Sequence, residues 1–428
     1  MTTAPQTPPS PSLDPALDPA LNPVRQVARL GPRPLPLHLA AQATMLLGSA
    51  LALPNWKNGS LVWKPHLQPR AAGLAHDLGD LENPNFKAAL EAESRRRVDA
   101  FVRGIQAYRQ HSYRRALPPV PVVWQDGTTR LLDYSHPDAD GPVVLVIPSL
   151  INRSYILDLT ARRSFMRYLG EKGARAFLVD WDAPEVEEKA FTLEDYIRGR
   201  LGRCLDFVIR MHGRPALVGY CMGGLLGLGL GILRQDDVRG LAVLATPWDF
   251  HKPDDLQARQ VRAMRGPLQD AIDTHGELPV DLLQTLFTTI DPGGIERKFR
   301  SFSRLARKSA KARDFVALED WLNDGVPLVG KVAEECLFGW YVGNDTAAGR
   351  WRLGSDVISP SGFIKPSLAL IPAKDRIVPP ASALALAEAL PHARTRVMEA
   401  GHIGMMTAGR ARTDVYGPLL RWLRQVSR

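Results

Sequence analysis

The sequence predicts an α/β fold in which a mostly parallel sheet carries helices on both faces. Short apolar runs typical of buried strands alternate with longer helical stretches, first through residues 142–245 and again through residues 367–398. Ahead of them, the apolar runs 119–124 and 129–134 flank Asp126-Gly127. This pattern predicts a β-hairpin, and hence an antiparallel start to the sheet.

The predicted elements follow one another in a regular order. In the first half they are strand 142–147, strand 176–180, helix 193–212, strand 216–219, helix 222–234 and strand 240–245. In the second half they are strand 367–371, helix 381–390 and strand 395–398. Segments 116–250 and 356–428 therefore form the predicted α/β core, and residues 251–355 between them are predicted to be a helical cap.

The region before the core divides into two parts. Residues 1–37 are rich in proline and carry a proline-spaced near-repeat, so we predict a disordered tail. Residues 38–115 are predicted to be a helical extension whose second helix covers about 85–110. Its first helix is the apolar run 39–53, which is too short to span a membrane. We expect this helix to be buried or surface-seeking and to stop at Pro54.

The most informative stretch is Leu217-Val-Gly-Tyr-Cys-Met-Gly-Gly224, in which glycines flank Cys221. A strand, a sharp turn, a nucleophile and a helix in this order form a nucleophile elbow, here with Cys in place of Ser. A side chain at Gly219 or Gly223 would collide with the neighbouring strand and helix. The sulfur would lie at a helix N-terminus, where backbone N–H groups favour a thiolate. The alternative is a buried cysteine in a glycine-rich turn.

Two residues further along the chain are candidates for the partners that such a nucleophile needs. Asp375 follows the predicted strand 367–371, and His402 follows the strand 395–398 in a glycine-flanked loop. The carboxyl ends of parallel strands meet at one edge of a sheet, so Cys221, Asp375 and His402 are expected to lie close together. The chain order of nucleophile, acid and histidine is that of the α/β-hydrolase fold. A lone histidine is more often a surface or core residue, but the position and order of His402 favour a base.

With these residues in place, the chain resembles the polyhydroxyalkanoate (PHA) synthases, which are α/β-hydrolase-fold acyltransferases with a Gly-x-Cys-x-Gly-Gly box. The match is collinear from about Leu117 to Arg428. The cysteine box and the segment Leu150 to Leu159 are its most specific parts. The other matching pieces are Val179-Asp-Trp181, Phe191 to Ile197, Ala245 to Phe250, Lys374-Asp375 and Gly401-His-Ile403.

The resemblance implies a role for each site residue. Cys221 would carry the acyl group, His402 would be the base and Asp375 its partner. The backbone N–H groups of Ile151 and Met222 would donate to the oxyanion. Arg376 stands after the aspartate, where the family commonly has a histidine. The match is also loose between the sixth strand and Asp375, and poor over the first hundred residues.

Composition narrows the functional classes further. Three cysteines are few and odd in number, which favours a reducing, cytoplasmic setting over a disulfide framework. The net charge of +9 could attract acyl-CoA phosphates, nucleic acid or anionic lipid, or it could reflect arginine-rich composition alone. The sequence contains no metal-ligand spacing, no dinucleotide or Walker fingerprint and no nucleic-acid-binding signature. We therefore predict no metal, no cofactor apart from a coenzyme A thioester as substrate, and no nucleic-acid partner.

The basic segment from Arg297 to Arg313 is unusual. Phe299, Phe302 and Leu305 recur every three residues, which predicts a helix with an apolar stripe and basic flanks. This helix could bind coenzyme A phosphates or dock on the coat of a polyester granule, or it could be a solvated face of the cap. The candidate contacts are Arg300, Arg304, Arg307 and Lys308.

The sequence thus predicts a cytoplasmic acyltransferase of PHA-synthase type that polymerises (R)-3-hydroxyacyl-CoA through a Cys221 thioester. Two alternatives stay open. The first is a thioesterase, esterase or polyester depolymerase that uses the same three residues with water as the acceptor. The second is a non-catalytic granule-associated protein. Association with the granule surface and formation of a homodimer are further open possibilities.

Overall fold

A computed structural model describes residues 28–63, 67–78 and 84–428 of the chain. Its strands are β1 Val122–Asp126, β2 Thr129–Asp133, β3 Val143–Ile147, β4 Asp158–Thr160, β5 Arg163–Ser164, β6 Arg175–Asp180, β7 Ala216–Tyr220, β8 Leu241–Leu244, β9 Glu277–Leu278, β10 Leu328–Val329, β11 Arg352–Leu353, β12 Asp356–Val357, β13 Ser367–Pro372 and β14 Ala393–Met398. Its α-helices are α1 Leu35–Lys57, α2 Gln68–Leu78, α3 Pro84–Arg109, α4 Phe165–Glu171, α5 Gly202–His212, α6 Met222–Leu233, α7 Leu256–Ala263, α8 Arg265–His275, α9 Val280–Ile290, α10 Gly294–Phe302, α11 Ala310–Asn323, α12 Gly330–Glu334, α13 Pro380–Ala389, α14 Gly404–Thr407 and α15 Gly417–Val426.

Eight of these strands form one sheet in the order β1-β2-β6-β3-β7-β8-β13-β14. The hairpin β1–β2 and the pair β2–β6 are antiparallel, whereas the remaining pairs are parallel. Neighbouring residues of a strand pack on opposite faces, as Leu217 and Val218 of β7 do, and both are fully buried. Burial on both faces explains why the strands are continuous apolar runs in the sequence. The predicted α/β-hydrolase fold is therefore confirmed.

The segment predicted to be the cap, residues 251–355, lies between β8 and β13 in the chain, and we keep that name for it. It contains α7 to α12, and α12 continues into a π-helical segment, Glu335–Val342. The helix predicted for 193–212 likewise begins with a π-helical segment, Asp195–Leu201, and continues as α5.

The basic segment is not one helix, which corrects the sequence-based prediction. The helix α10 ends at Phe302, and α11 begins only at Ala310, after Ser309 caps it by accepting from the Ala312 N–H. The two phenylalanines of the stripe are buried against α3, where Phe299 contacts Phe101 and Tyr108 edge-on at 6.1 and 5.9 Å between ring centroids. The apolar stripe is therefore filled by the N-terminal extension and is not a free docking face.

The N-terminal extension differs from prediction at both ends of α1. Residues 1–27 of the predicted tail lie outside the described part of the chain. The last residues of that predicted tail are packed, because Arg29 binds both oxygens of Asp320 in α11 at 2.6 Å. The helix α1 then runs through Pro54 to Lys57, and Asn58 N–H still donates to the Pro54 carbonyl. Proline lacks an N–H to donate and its ring crowds the carbonyl four residues earlier, but its own carbonyl can still accept, as the Pro54 carbonyl does here in the last turn.

The helix α1 both packs and exposes apolar surface. Leu35 joins the cluster formed by α3 and α10, whereas Leu47 and Leu51 are 69% and 75% exposed. No helix within the described residues is both long enough and apolar enough to cross a bilayer.

Candidate active site

Three loops at one edge of the sheet carry the predicted site residues. Cys221 follows β7 directly, Asp375 follows β13, and His402 follows β14. The strands β7 and β13 both pair with β8, and β13 also pairs with β14, so these loops are neighbours. The structure thus brings together the three residues that lie far apart in the sequence.

Cys221 sits in a strained turn of the elbow type. Its φ of 56° lies in the left-handed region, which residues other than glycine rarely adopt. The helix α6 begins at the next residue. An added Cβ at Gly219 would lie 2.3 Å from the Gly224 Cα, and one at Gly223 would lie 2.1 Å from the Ile147 carbonyl oxygen. Glycine is therefore required at positions 219 and 223, as the sequence predicted.

The glycine requirement gives a stability prediction. Gly223→Ala should lower the free energy of unfolding by about 2 kcal/mol or more, because the new methyl group meets a strand backbone that cannot move aside. Gly227→Ala is the matched control one turn later in α6, since its Cβ would meet only the tips of Ile147 and Leu241 at 3.2 and 3.4 Å. Urea unfolding measures both variants. Equal losses would show that the close approach at Gly223 is not the cause.

His402 is held by a buried carboxylate. Its Nδ1 lies 2.7 Å from the Asp375 Oδ2, and the side chain of Asp375 is fully buried. The other carboxylate oxygen accepts the backbone N–H groups of Ile377 and Val378, each at 2.9 Å. Tyr220 holds the histidine from the β7 side, since its hydroxyl donates to the His402 carbonyl at 3.1 Å. Asp375 therefore turns the remaining ring nitrogen of His402 toward Cys221.

The surroundings of His402 favour its protonated form. Burial lowers the pKa of His402, but the negative charge of Cys221 and hydrogen bonds with Asp375 and Cys221 raise it by more, so the pKa is raised to about 10. The imidazolium of His402 therefore persists at neutral pH. The other two cysteines differ, because burial raises the pKa of the thiols of Cys204 and Cys336 and keeps them neutral. Cys221, which is only partly buried, is thus the cysteine suited to nucleophilic attack.

The two predicted oxyanion donors line the same cavity as this cysteine–histidine pair. Met222 is the first residue of α6, where a backbone N–H has no carbonyl one turn earlier to bind. The Ile151 N–H donates to the Ser149 hydroxyl at 3.0 Å, so a substrate oxygen would have to share or replace that contact. Ile151 belongs to the segment 148–153 that follows β3, which we call the oxyanion loop.

Cys221 and His402 open into a cavity of about 160 Å³ that also contains both predicted oxyanion residues. Core and cap contribute to its walls, which are mostly apolar and aromatic. Besides the residues already named, the lining includes Leu225, Phe250, Phe287, Trp321, Leu322, Trp340, Tyr341 and Ile377.

The structure leaves the predicted basic contacts outside this cavity. Arg300 pairs with Glu296 within α10 at 3.0 Å, and the other three cations are exposed in the loop between α10 and α11. None of the four lines the cavity. Arg376, which departs from the family pattern, also points away from the triad, because its side chain is 70% exposed and pairs with Asp291 of the cap at 3.1 Å.

Sequence reasoning missed the cap residues of the cavity. Trp340 and Tyr341 lie in the π-helical segment and Trp321 in α11, and no motif marks them. Tyr220 could have been found, since it stands inside the cysteine box directly before Cys221.

Comparison with known proteins identifies the family of this chain. The family model described as alpha/beta hydrolase fold matches residues 142–408. The poly(3-hydroxyalkanoate) polymerase subunit PhaC of Allochromatium vinosum is 30% identical over 316 residues, which cover 72% of this chain and 88% of that protein. Proteins of the same name from Synechocystis and Thiocystis violacea are each 29% identical and are covered over 84% and 89% of their lengths. The chain therefore belongs to the α/β-hydrolase fold family and, within it, to the poly(3-hydroxyalkanoate) polymerases, which are enzymes of the acyltransferase type.

Proposed function

We propose that the protein transfers 3-hydroxyacyl groups from coenzyme A thioesters to Cys221 and from there to the hydroxyl group of another acyl unit, which lengthens a polyester. The observation that carries this proposal is the contact of Cys221 with His402 in an apolar cavity, with His402 held by the buried Asp375. The names of the relatives support a hydroxyacyl polymer as the product.

In the first half-reaction, the Cys221 thiolate attacks the thioester carbonyl of the acyl-CoA. The carbonyl oxygen becomes negative, and the N–H groups of Met222 and Ile151 stabilise it. The tetrahedral intermediate then expels the coenzyme A thiolate, which takes up a proton from the His402 imidazolium. The products are a thioester on Cys221 and a neutral His402.

In the second half-reaction, a hydroxyl group of another 3-hydroxyacyl unit attacks the Cys221 thioester. Neutral His402 accepts the hydroxyl proton, and Asp375 stabilises the imidazolium that forms. A new ester bond replaces the thioester, and the Cys221 thiolate is regenerated beside the imidazolium. The protein thus returns to its starting state, and the polyester is one acyl unit longer.

The cavity favours this acceptor over water. Its walls are formed largely by apolar side chains such as Phe250, Phe287 and Trp340, which offer few hydrogen bonds to water. A thioester on cysteine is also more reactive toward an alcohol than an oxygen ester on serine would be. Exclusion of water by the cap is therefore the feature on which polymer formation depends.

Purified protein incubated with 3-hydroxybutyryl-CoA provides the test. We expect released coenzyme A, measured by chromatography, to exceed free 3-hydroxybutyrate clearly, with the difference recovered as oligoester. After an acid quench, mass spectrometry of the peptide that contains Cys221 should show the mass of one or more 3-hydroxybutyryl groups. This second readout reports the first half-reaction even if chain growth needs a second subunit, as the word subunit in the relatives' names suggests.

Other outcomes identify the alternatives. Free acid equal to the released coenzyme A would make the protein a hydrolase that uses the same three residues. No coenzyme A release and no adduct on Cys221 would favour the non-catalytic alternative. Binding of coenzyme A phosphates or of a granule surface by Arg300, Arg304, Arg307 and Lys308 stays a prediction, as do the homodimer and the cytoplasmic location.

A further inference from the structure

The oxyanion loop is anchored at both ends by indole N–H groups. Trp181, which follows β6 in the core, donates to the Pro148 carbonyl at 3.1 Å. Trp321, in the cap helix α11, donates to the Arg153 carbonyl at 2.7 Å. Both tryptophans are buried, with 5% and 6% exposure. One end of the loop that carries the Ile151 N–H therefore depends on the core, and the other depends on the cap.

A charged contact reinforces the attachment to the cap. The Arg153 guanidinium lies between two carboxylates, binding Asp182 of the core and lying 3.5 Å from Asp324, which directly follows α11. Asp324 is held in turn by the Tyr155 hydroxyl, which donates to it at 3.2 Å. The end of the oxyanion loop is thus tied to α11 through both its backbone carbonyl and its side chain.

The helix α11 is itself held in place on its outer side. Asp320 receives Arg29 and also the Tyr108 hydroxyl at 3.0 Å, and the buried Glu319 pairs with Lys298 at 2.7 Å. Trp321 lines the cavity between these anchors. A movement of α11 would therefore pull on the Arg153 carbonyl, two residues from the Ile151 N–H.

We infer that Trp321 and Asp324 are positioning residues for the oxyanion hole, so that the donor N–H of Ile151 is aligned only when the cap helix α11 is seated on the core. This inference rests on the proposed function. Its physical basis is that a donor must lie within hydrogen-bonding distance of the developing oxyanion, and loss of one such donor costs about 10²–10³ in rate. Seating of the cap would then couple water exclusion to catalytic competence.

Trp321→Phe is the test variant, because it removes the indole N–H and keeps an aromatic ring. We expect kcat for acylation of Cys221 by 3-hydroxybutyryl-CoA to fall by about ten-fold, less than the full loss of a donor, with KM changed by less than about three-fold. The reaction of Cys221 with methyl methanethiosulfonate should keep its rate, because attack on sulfur creates no oxyanion. If Trp321 only stabilised the fold, Trp321→Phe would not slow acylation selectively while leaving the methanethiosulfonate reaction unchanged.

Two further variants complete the experiment. Trp422→Phe makes the same truncation at a buried position in α15 that does not line the cavity, and it should leave both reactions unchanged. Asp324→Asn keeps the size of the side chain and should show a smaller acylation defect in the same direction. It serves as the test if Trp321→Phe does not fold.

The inference is overturned if Trp321→Phe acylates at the rate of the parent protein, or if both reactions slow equally. A parallel assay with p-nitrophenyl butyrate separates this inference from the proposed function. If the parent protein is acylated by the ester and not by the coenzyme A thioester, the proposed substrate class is wrong. The acylation rate of Trp321→Phe is then compared with that of the parent protein using the ester. If neither reagent acylates Cys221, both proposals fail.

Discussion

Cys221→Ala is expected to abolish coenzyme A release from 3-hydroxybutyryl-CoA, to the level of the buffer alone. The reason is that no other cysteine can replace it: Cys204 is buried in α5, and burial raises the pKa of both remaining thiols and keeps them neutral. Alanine is smaller than cysteine and suits the elbow, so the protein should remain folded. Chromatographic measurement of coenzyme A and a thermal unfolding curve test the two halves of this expectation.

The same variant tests the pairing of Cys221 with His402. Without the sulfur, the pKa of His402 should fall below its value of about 10, because burial still lowers it and only Asp375 still raises it. The imidazolium should then lose its proton at a lower pH, which nitrogen chemical shifts of labelled histidine report. Cys204→Ala is the matched control and should retain activity. Loss of activity in that control and its retention in Cys221→Ala would overturn the elbow assignment.

His402→Gln should lower the rate of acyl transfer by about 10²–10⁴-fold, the usual cost of losing a general base. Glutamine can occupy the space beside Asp375 but cannot carry the proton between Cys221 and the acceptor hydroxyl. The loss should appear in kcat, since His402 acts on the reacting atoms and not on the coenzyme A portion of the substrate. Initial rates of coenzyme A release over a range of substrate concentrations provide the measurement.

His392→Gln is the control for this substitution, because His392 is exposed beside β14 and does not line the cavity. Its rate should equal that of the parent protein. Asp375→Asn should cost less than His402→Gln, since Asp375 touches the ring and not the substrate. A normal rate in His402→Gln would remove that residue from the mechanism, and equal losses in the two variants would give Asp375 a direct part in the proton transfer.

The sequence predicted the core because its elements are determined locally. Continuous apolar runs indicate strands such as β7 and β13. The glycines around Cys221 indicate a tight turn in which neighbouring backbone leaves no room for side chains. Parallel strands bring their carboxyl ends to one edge, so the neighbourhood of Asp375 and His402 followed from strand order alone.

The cap was less predictable because long-range contacts determine it. A period of three across Phe299, Phe302 and Leu305 fits one helix, but α10 ends where its phenylalanines reach α3, and Gly104 allows that approach. An added Cβ at Gly104 would lie 2.2 Å from the Phe299 carbonyl oxygen. The contact of Trp321 with the oxyanion loop joins residues 168 positions apart, and no local pattern encodes it.

The place of the cap in the chain also determines when the proposed chemistry becomes possible during synthesis. The ribosome makes β7 and Cys221 first, then the cap, and only afterwards the strands β13 and β14 that carry the loops of Asp375 and His402. At translation rates of ~5–20 residues per second, the cysteine therefore waits for its base for roughly ten seconds or more. During this interval the edge of β8 has no partner from β13, and Cys221 has no His402 beside it. A nascent chain should thus neither consume coenzyme A thioesters nor begin a polymer before its sheet is complete.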